Sequence, residues 1–508
     1  MWDDVIVGAG SAGAVLAARL SEDPARRVLL IEAGPDRAES GDLGDEGARP
    51  VLDGSNWDYE ARVTDDSARR APYRVGKIVG GSSAVNGAMA LRGLPADFDG
   101  WAAAGNPEWA WREVLPHFVR LESDADFKDE QHGTTGPVPV ERLAPARFNA
   151  VATAFEQGCR ALGVPELPDL NSGRGAGVGR LPTNSAGGRR MSAARTHLDA
   201  ARHRPNLTIW PCSLVQRVLL ARGRATGVRV RRDGDVTDVP AGRVTLCAGA
   251  INTPLLLQRS GIGAADRLAA LDIEPVVDLP GVGENLSDHA AMTFWALPKP
   301  GLCDPDAPWH STLARVAGER DRPALNLFLV NNVAANGTAG HGTELLALLG
   351  GRTAIAVFAM LLNPSSRGSV RPRSADPGGK PEIALRLAST PDDVEHLVHG
   401  TRMAWRLLRS APLAGLLDRI VVWTDRMVGD EDLVRSTVRR FVAPTWHPVG
   451  TAAMGADSDP AAVVDQYCRV HGVRDLRIAD ASVMPSIPSA PTNLTCLMIA
   501  ERVATWMT

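Results

Sequence analysis

Short apolar runs separated by small residues set the pattern of this chain. Val5-Ile6-Val7 reads as the end of a buried strand. Gly8-Ala9-Gly10-Ser11-Ala12-Gly13 follows, and then Ala14-Val15-Leu16-Ala17-Ala18-Arg19-Leu20, which has helical character. A second apolar run, Val28 to Ile31, ends in Glu32-Ala33-Gly34. Strand, tight turn, helix and strand within roughly 30 residues is the layout of a dinucleotide-binding βαβ unit. In that reading Gly8 makes the turn, Gly10 lets the backbone approach a pyrophosphate, and Gly13 lets the helix pack close on the strand. The pyrophosphate sits on the free N–H groups at the helix start, and Glu32 accepts hydrogen bonds from a ribose. The fingerprint does not separate FAD from NAD.

Further along, residues 97–122 and 148–162 predict amphipathic helices, and Ser192 to Arg202 a third. Leu207 to Trp210 and Val215 to Leu220 predict strands, and Thr226 to Val239 a hairpin turning at Asp233-Gly234. Val244 to Ala250 reads as a buried strand ending in small residues, followed by a helix over Ile251 to Leu257. That is a second strand-to-helix turn of the nucleotide-binding type. From about 290 to 440 strands come first (325–330, 354–362, 368–373) and helices after (391–408, 431–440). This predicts an α+β domain inserted in the nucleotide-binding one. Leu476 to Asp480 is a strand with a terminal carboxylate, and Asn493 to Trp506 is the closing helix. Pro35 to Gly54 is long for a connection and reads as a flap or lid. Gly76 to Met89 has few bulky side chains, which suits close approach of backbone N–H groups to a ligand. Gly173 to Gly188 is a Gly-rich excursion.

Composition narrows the class. At 508 residues the chain exceeds one core. Hydrophobic content of 44% and charged content of 22% fit a globular protein. A formal charge of −4 argues against nucleic acid or anionic membrane partners. No run reaches 18 apolar residues, so no membrane span is expected. The first strand starts too early to leave room for a signal peptide, which favours a cytoplasmic location. Cys159, Cys212, Cys247, Cys303, Cys468 and Cys496 lack metal-ligand or CxxC spacing and read as free thiols.

Among the 11 histidines, His447 stands out. It lies in Trp446-His447-Pro448-Val449-Gly450-Thr451, a loop that can present a side chain rigidly, and an imidazole suits general-base work. Asp480 reads equally as a cofactor-binding acid or as a helix cap. Asn493, at the entry to the last helix, reads on its own as an N-cap.

Several segments together resemble the glucose–methanol–choline oxidoreductase family. They are Gly8 to Gly13 with Glu32; Gly76 to Arg92; Gly249 to Pro254 running to Ser260-Gly261-Ile262-Gly263; Gly281 to His289; Trp446 to Gly455; and Asp480 to Pro485 running to Asn493 and Ala500-Glu501. Arg92 to Phe98, Met191 to Arg195 and Trp446-His447 look most like bacterial hydroxymethylfurfural-oxidase-like and mycofactocin-associated members. The resemblance implies an α/β FAD-binding Rossmann-like domain with an inserted α+β substrate domain on an antiparallel sheet. Its FAD-binding parts are expected at 1–140 (lid about 35–55), 191–290 and 441–508, and the substrate parts at 141–190 and 291–440. It implies that His447 takes the alcohol proton, that Asn493 orients the same oxygen, and that the carbon passes hydride to flavin N5.

By the same resemblance, Asn86, Gly87 and Met89 lie along the flavin ring, Val215 meets the adenine, and Asp480 and Ala481 meet the ribityl and pyrophosphate end. The cofactor site is expected to include Ser11, Ala33, Trp57, Gly81, Ser82, Ala248, Gly249 and Thr495 as well, and the substrate pocket Trp446. Family members with covalent flavin carry His just before the Asn at 86. Val85 stands there, so non-covalent FAD is expected. The expected substrate is a small primary aromatic, furanic or allylic alcohol, with oxygen or another carrier as electron acceptor. The alternatives are a hydroxynitrile-lyase-type reaction with non-redox FAD and a dehydrogenase acting on a sugar-like or other alcohol.

Overall fold

The computed structural model describes residues 1–37, 54–66, 68–318, 323–334 and 347–508. Most of the expected lid at 35–55 lies outside the described residues. Two seven-stranded sheets organise the chain.

The first sheet has a parallel core. Trp2–Val7 pairs in parallel with Val28–Ile31 on one side and with the end of Asp235–Leu246 on the other. Leu207–Trp210 adds beyond Val28–Ile31, and Leu476–Ile478 adds to Asp235–Leu246, both parallel. Val5, Ile6, Leu29, Leu30 and Val244 are fully buried, which is why these strands read as unbroken apolar runs rather than alternating ones. The expected hairpin forms as Arg224–Arg232 and Asp235–Leu246. The segment Val244 to Leu246, expected as a separate strand, is instead the far end of that 12-residue strand.

Beyond the first strand, Gly8 has φ +100°, and a Cβ there would stand 2.5 Å from the Cys247 carbonyl oxygen. A Cβ on Gly13 would lie 1.9 Å from the Gly8 carbonyl oxygen. The first helix, Ser11–Leu20, therefore packs onto the strand at a distance only glycine allows. The last helix, Asn493–Met507, lies against it and is buried on nearly every side. Arg19 donates from Nε to Glu501 Oε1 at 2.8 Å across that contact.

The second sheet is antiparallel. Its path runs through Leu417–Ile420, Ala290–Pro298, Ala354–Leu361, Pro323–Val333, Thr312–Ala317 and Gly177–Arg180, and Ala443–Pro444 adds beside Ala290–Pro298. The Gly-rich excursion after residue 173 thus carries an edge strand. Strand alternation divides the side chains. Met292, Phe294, Leu325, Leu327 and Leu329 join the core under the helix Pro391–Leu408, while Ala291, Trp295, Phe328 and Val330 form a separate cluster.

Two expected helices depart from prediction. The stretch 97–122 splits into Pro95–Ala103 and Trp111–Leu121, because Gly105 takes φ +97° and Pro107 follows. The stretch 192–202 contains a π-helical turn, Ala194–Leu198, before the short helix Asp199–Ala201.

A buried ion network fixes the loops beneath residues 88–94. His132 Nδ1 lies 3.0 Å from Glu122 Oε1, and its Nε2 lies 3.1 Å from Asp169 Oδ2. Arg142 bonds Asp124 and Asp169, and Arg92 pairs with Glu122. Three carboxylates thus face two guanidinium groups and one imidazole. Glu122, Asp124 and His132 come within metal-ligating range of one another, but both imidazole nitrogens are engaged and the arginines balance the charge. The imidazole is therefore held as a cation, its pKa raised to about 11 by bonds to Asp124, Asp169 and Glu122 against the opposing effect of burial. A raised pKa contributes stability that is fully present below the ordinary value of 6.5 and disappears as pH climbs through about 11. His132→Gln leaves buried carboxylates without their partner, at a cost of about 3–5 kcal/mol near pH 6. The gap in Tm from wild type narrows between pH 6.5 and 9, as thermal unfolding at a series of pH values will show.

Candidate active site

A cavity of about 630 Å3 runs from the first Gly-rich turn to the substrate face of the second sheet. Gly8, Gly10, Ser11, Glu32, Ala33, Trp57, Gly81, Ser82, Asn86, Gly87, Met89, Val215, Ala248, Gly249, Asp480 and Ala481 all line it, as do Trp446, His447 and Asn493. Gly13 and Thr495 do not. Gly13 acts in helix–strand packing, and Thr495 is wholly buried in the last helix.

The two Gly-rich segments meet at the cavity wall. Gly81 has φ +52°, and a Cβ there would lie 2.6 Å from the Gly10 Cα. The Gly80 N–H donates to the Ala9 carbonyl at 2.7 Å. No side chain caps the first helix at Gly10, and no acid occupies its first turn. Its N–H groups thus face the cavity ready for an anion. Glu32 accepts from the Ala9 N–H at 2.9 Å and the Gly34 N–H at 2.8 Å, and burial pushes its carboxyl up to about 7. A free helix terminus, a carboxylate about 20 residues on and a bare glycine wall fit a dinucleotide such as FAD. Asp480 is both things the sequence allowed. It lines the cavity, yet its carboxylate also takes the Gly249 N–H (2.9 Å), Thr253 Oγ1 (2.6 Å) and the Ser482 N–H (2.8 Å).

At the other end, backbone hydrogen bonds zip residues 287–289 to 445–449. Asp288 Oδ1 accepts from the His447 N–H at 2.9 Å, and its Oδ2 accepts from the Tyr73 hydroxyl at 2.6 Å. Between these ties Trp446 takes φ +59°, an unusual value for a bulky residue.

Neighbouring groups decide the protonation of His447. His289 Nε2 lies 3.0 Å from the Pro488 carbonyl oxygen, which can only accept, so that nitrogen carries hydrogen. Burial pushes His289 down to about 4, so the ring is neutral and its Nδ1 is bare. This bare nitrogen lies 3.0 Å from His447 Nδ1, which must then be the donor. Thr445 agrees with this order. Its hydroxyl donates to the His289 carbonyl at 3.1 Å and offers a lone pair to His447 Nδ1 at 3.0 Å. His447 Nε2 is left as an unprotonated acceptor. Burial, helped by His289, holds the His447 pKa well below 6.5, so the ring is neutral at physiological pH.

Asn493 complements it. The Ser11 hydroxyl donates to Asn493 Oδ1 at 2.8 Å, and Asn493 Nδ2 has no hydrogen-bond partner among the described residues. The helix N-cap position falls on Thr492, so the Asn493 side chain is not a cap. At this end of the cavity His447 Nε2 is thus a fixed acceptor and Asn493 Nδ2 a fixed donor. That pair can accept a proton from a hydroxyl and donate to the oxygen left behind. Sequence reasoning singled out His447 and Asn493 but gave no part to His289 or Thr445, and no part at Asn493 to Ser11. The His289 and Ser11 contacts span 158 and 482 residues, so no local spacing signals them, while Thr445 stands only two residues from His447.

The sequence matches the GMC oxidoreductase family over residues 2–291 and again over 364–500. It is 37% identical over 535 residues to a 5-(hydroxymethyl)furfural oxidase of Methylovorus sp. strain MP688, covering 99% of this chain and 98% of that one. It is 36% identical to an oxygen-dependent choline dehydrogenase of Paraburkholderia xenovorans, covering 99% and 93%. The fold superposes on the crystal structure of pyridoxine 4-oxidase from Mesorbium loti with a TM-score of 0.89 and 32% identity, covering 100% and 99% of the two chains. No helix among the described residues is long and apolar enough to cross a membrane. The chain belongs to the GMC oxidoreductase family and is an FAD-dependent oxidoreductase acting on alcohol groups.

Proposed function

We propose that this enzyme oxidises a primary aromatic, furanic or allylic alcohol, with His447 as general base and Asn493 as hydrogen-bond donor to the same oxygen. The observation that carries this reading is the pairing of a bare His447 Nε2 with an unclaimed Asn493 Nδ2 in one cavity. The substrate class rests on the walls. Trp295, Trp309, Phe328, Phe358 and Trp446 line the cavity and offer flat apolar surface to a ring. The furanic alcohol oxidase among the relatives points the same way.

The hydroxyl proton passes to His447 Nε2, and the His289 and Pro488 acceptor chain stabilises the resulting imidazolium. Asn493 Nδ2 donates to the oxygen as negative charge grows on it. The ring walls and Trp446 hold the carbinol carbon in line. FAD, when bound, supplies the hydride acceptor. Val85 lines the cavity where a tethering histidine would stand, which supports non-covalent FAD. Oxygen or another carrier would take up the electrons.

Anaerobic mixing with an alcohol panel tests the reading. Benzylic, furanic or allylic alcohols bleach the flavin absorbance, and air or an artificial dye restores it. A flavin that stays oxidised while the protein cleaves a cyanohydrin would overturn it in favour of lyase chemistry. His447→Ala lowers kcat/KM by about 10²–10⁴, as stopped-flow flavin reduction will measure. His447 must be neutral to act and its pKa is depressed, so activity falls only as pH drops through that lowered value. The acid limb of the kcat/KM profile therefore lies below pH 6.5. Acid precipitation leaves the yellow colour in the supernatant if the flavin is not covalently attached.

A further inference from the structure

The substrate face of the second sheet carries a buried amide that the mechanism leaves unused. Asn326 lies in the strand Pro323–Val333, lines the cavity and is 0% exposed. Neither its Oδ1 nor its Nδ2 has a hydrogen-bond partner among the described residues. Its cross-strand neighbours supply none. Met360 offers only a thioether, and Arg315 turns its guanidinium to the Leu170 carbonyl at 2.6 Å and the Arg92 carbonyl at 3.4 Å. A buried amide with both ends unmet is costly, and folded proteins seldom keep one without a ligand or water to meet it.

Its position fits a ligand contact. Asn326, Met360, Ala291 and Ala443 lie in one row across four adjacent strands. Ala443 begins the run that leads to His447. Three strand spacings, about 14 Å, separate the two ends of the row. That separation is of the size of one planar ring with a side chain at each end. Phe328 and Phe358, stacked at 4.6 Å beside that row, give such a ring a flat wall.

We propose that Asn326 is a specificity residue that hydrogen-bonds a second oxygen function, a hydroxyl or carbonyl, on the far side of the ring from the alcohol being oxidised. This rests on the alcohol-oxidising reading above. It restricts the substrate class to ring alcohols bearing two oxygen groups. The amide's donor meets a carbonyl and its acceptor meets a hydroxyl, so both oxidation states of the second group are accepted.

The test compares benzyl alcohol with benzene-1,4-dimethanol and 4-(hydroxymethyl)benzaldehyde on the FAD-loaded enzyme, by anaerobic flavin reduction and steady-state kcat/KM. Wild type prefers the two-oxygen substrates by about tenfold or more, mostly through KM. Asn326→Leu, of similar volume but without hydrogen bonds, brings that ratio close to the value set by the ring's own electronics. Asn326→Ser, which keeps a hydroxyl, retains part of the preference. Flavin content and Tm of each variant accompany the ratios. Equal kcat/KM for all three alcohols in wild type overturns the assignment, and means that cavity water alone meets the amide. A preference that survives intact in Asn326→Leu overturns it as well. Turnover of benzyl alcohol without preference leaves the alcohol-oxidising reading standing. Failure of every alcohol to reduce the flavin removes that reading and this proposal together.

Discussion

A single carbonyl oxygen sets the chemistry of this site. The Pro488 oxygen can only accept a hydrogen bond, so it fixes the proton on His289 Nε2. The neutral His289 ring then fixes the proton on His447 Nδ1, and the face of His447 toward the cavity is left basic. Reversing any link would leave two lone pairs or two hydrogens opposed in a buried place, which is costly. The rest of the architecture holds this chain and the Ser11–Asn493 bond at the wall of one cavity. The strand pairing of 287–289 with 445–449 holds the histidines, and the packing of the first helix on the last holds the amide.

The first sheet was legible in the sequence because its strands are buried on both faces and its turns demand glycine. The run Val5 to Gly13 states strand, turn and helix start in nine residues, and Gly8 and Gly13 are required by contacts that leave no room for a Cβ. The second sheet was harder to read. Its strands Ala290–Pro298 and Thr312–Ala317 bury both faces, one toward the core and one toward the cavity, so they show no alternation to detect. The breaks at Gly105 and at the π-helical turn after Ala193 come from local backbone geometry that helical periodicity alone does not report.

At the site, the sequence pointed to groups that line the cavity and missed those that orient them. His447 and Asn493 were reached through motif and resemblance. His289 lies in a segment noted for its resemblance but was given no role, because its partner is 158 residues away. Asp480 was undecided between cap and ligand, and the structure gives it both surroundings. Asn326 carries no motif at all. It is recognised only by what it lacks in three dimensions.

The contact between the first and last helices orders events in time. A chain emerging from the ribosome completes the glycine turn of the nucleotide cradle hundreds of residues before the amide that faces it exists. Until the segment after Thr492 is released and docks, Ser11 has no acceptor and Arg19 no carboxylate. The glycine turn of the cavity is thus made early and its Asp480 and Asn493 walls late. The contact that fixes the Asn493 amide therefore forms last, once the closing helix has been made and has docked on the first.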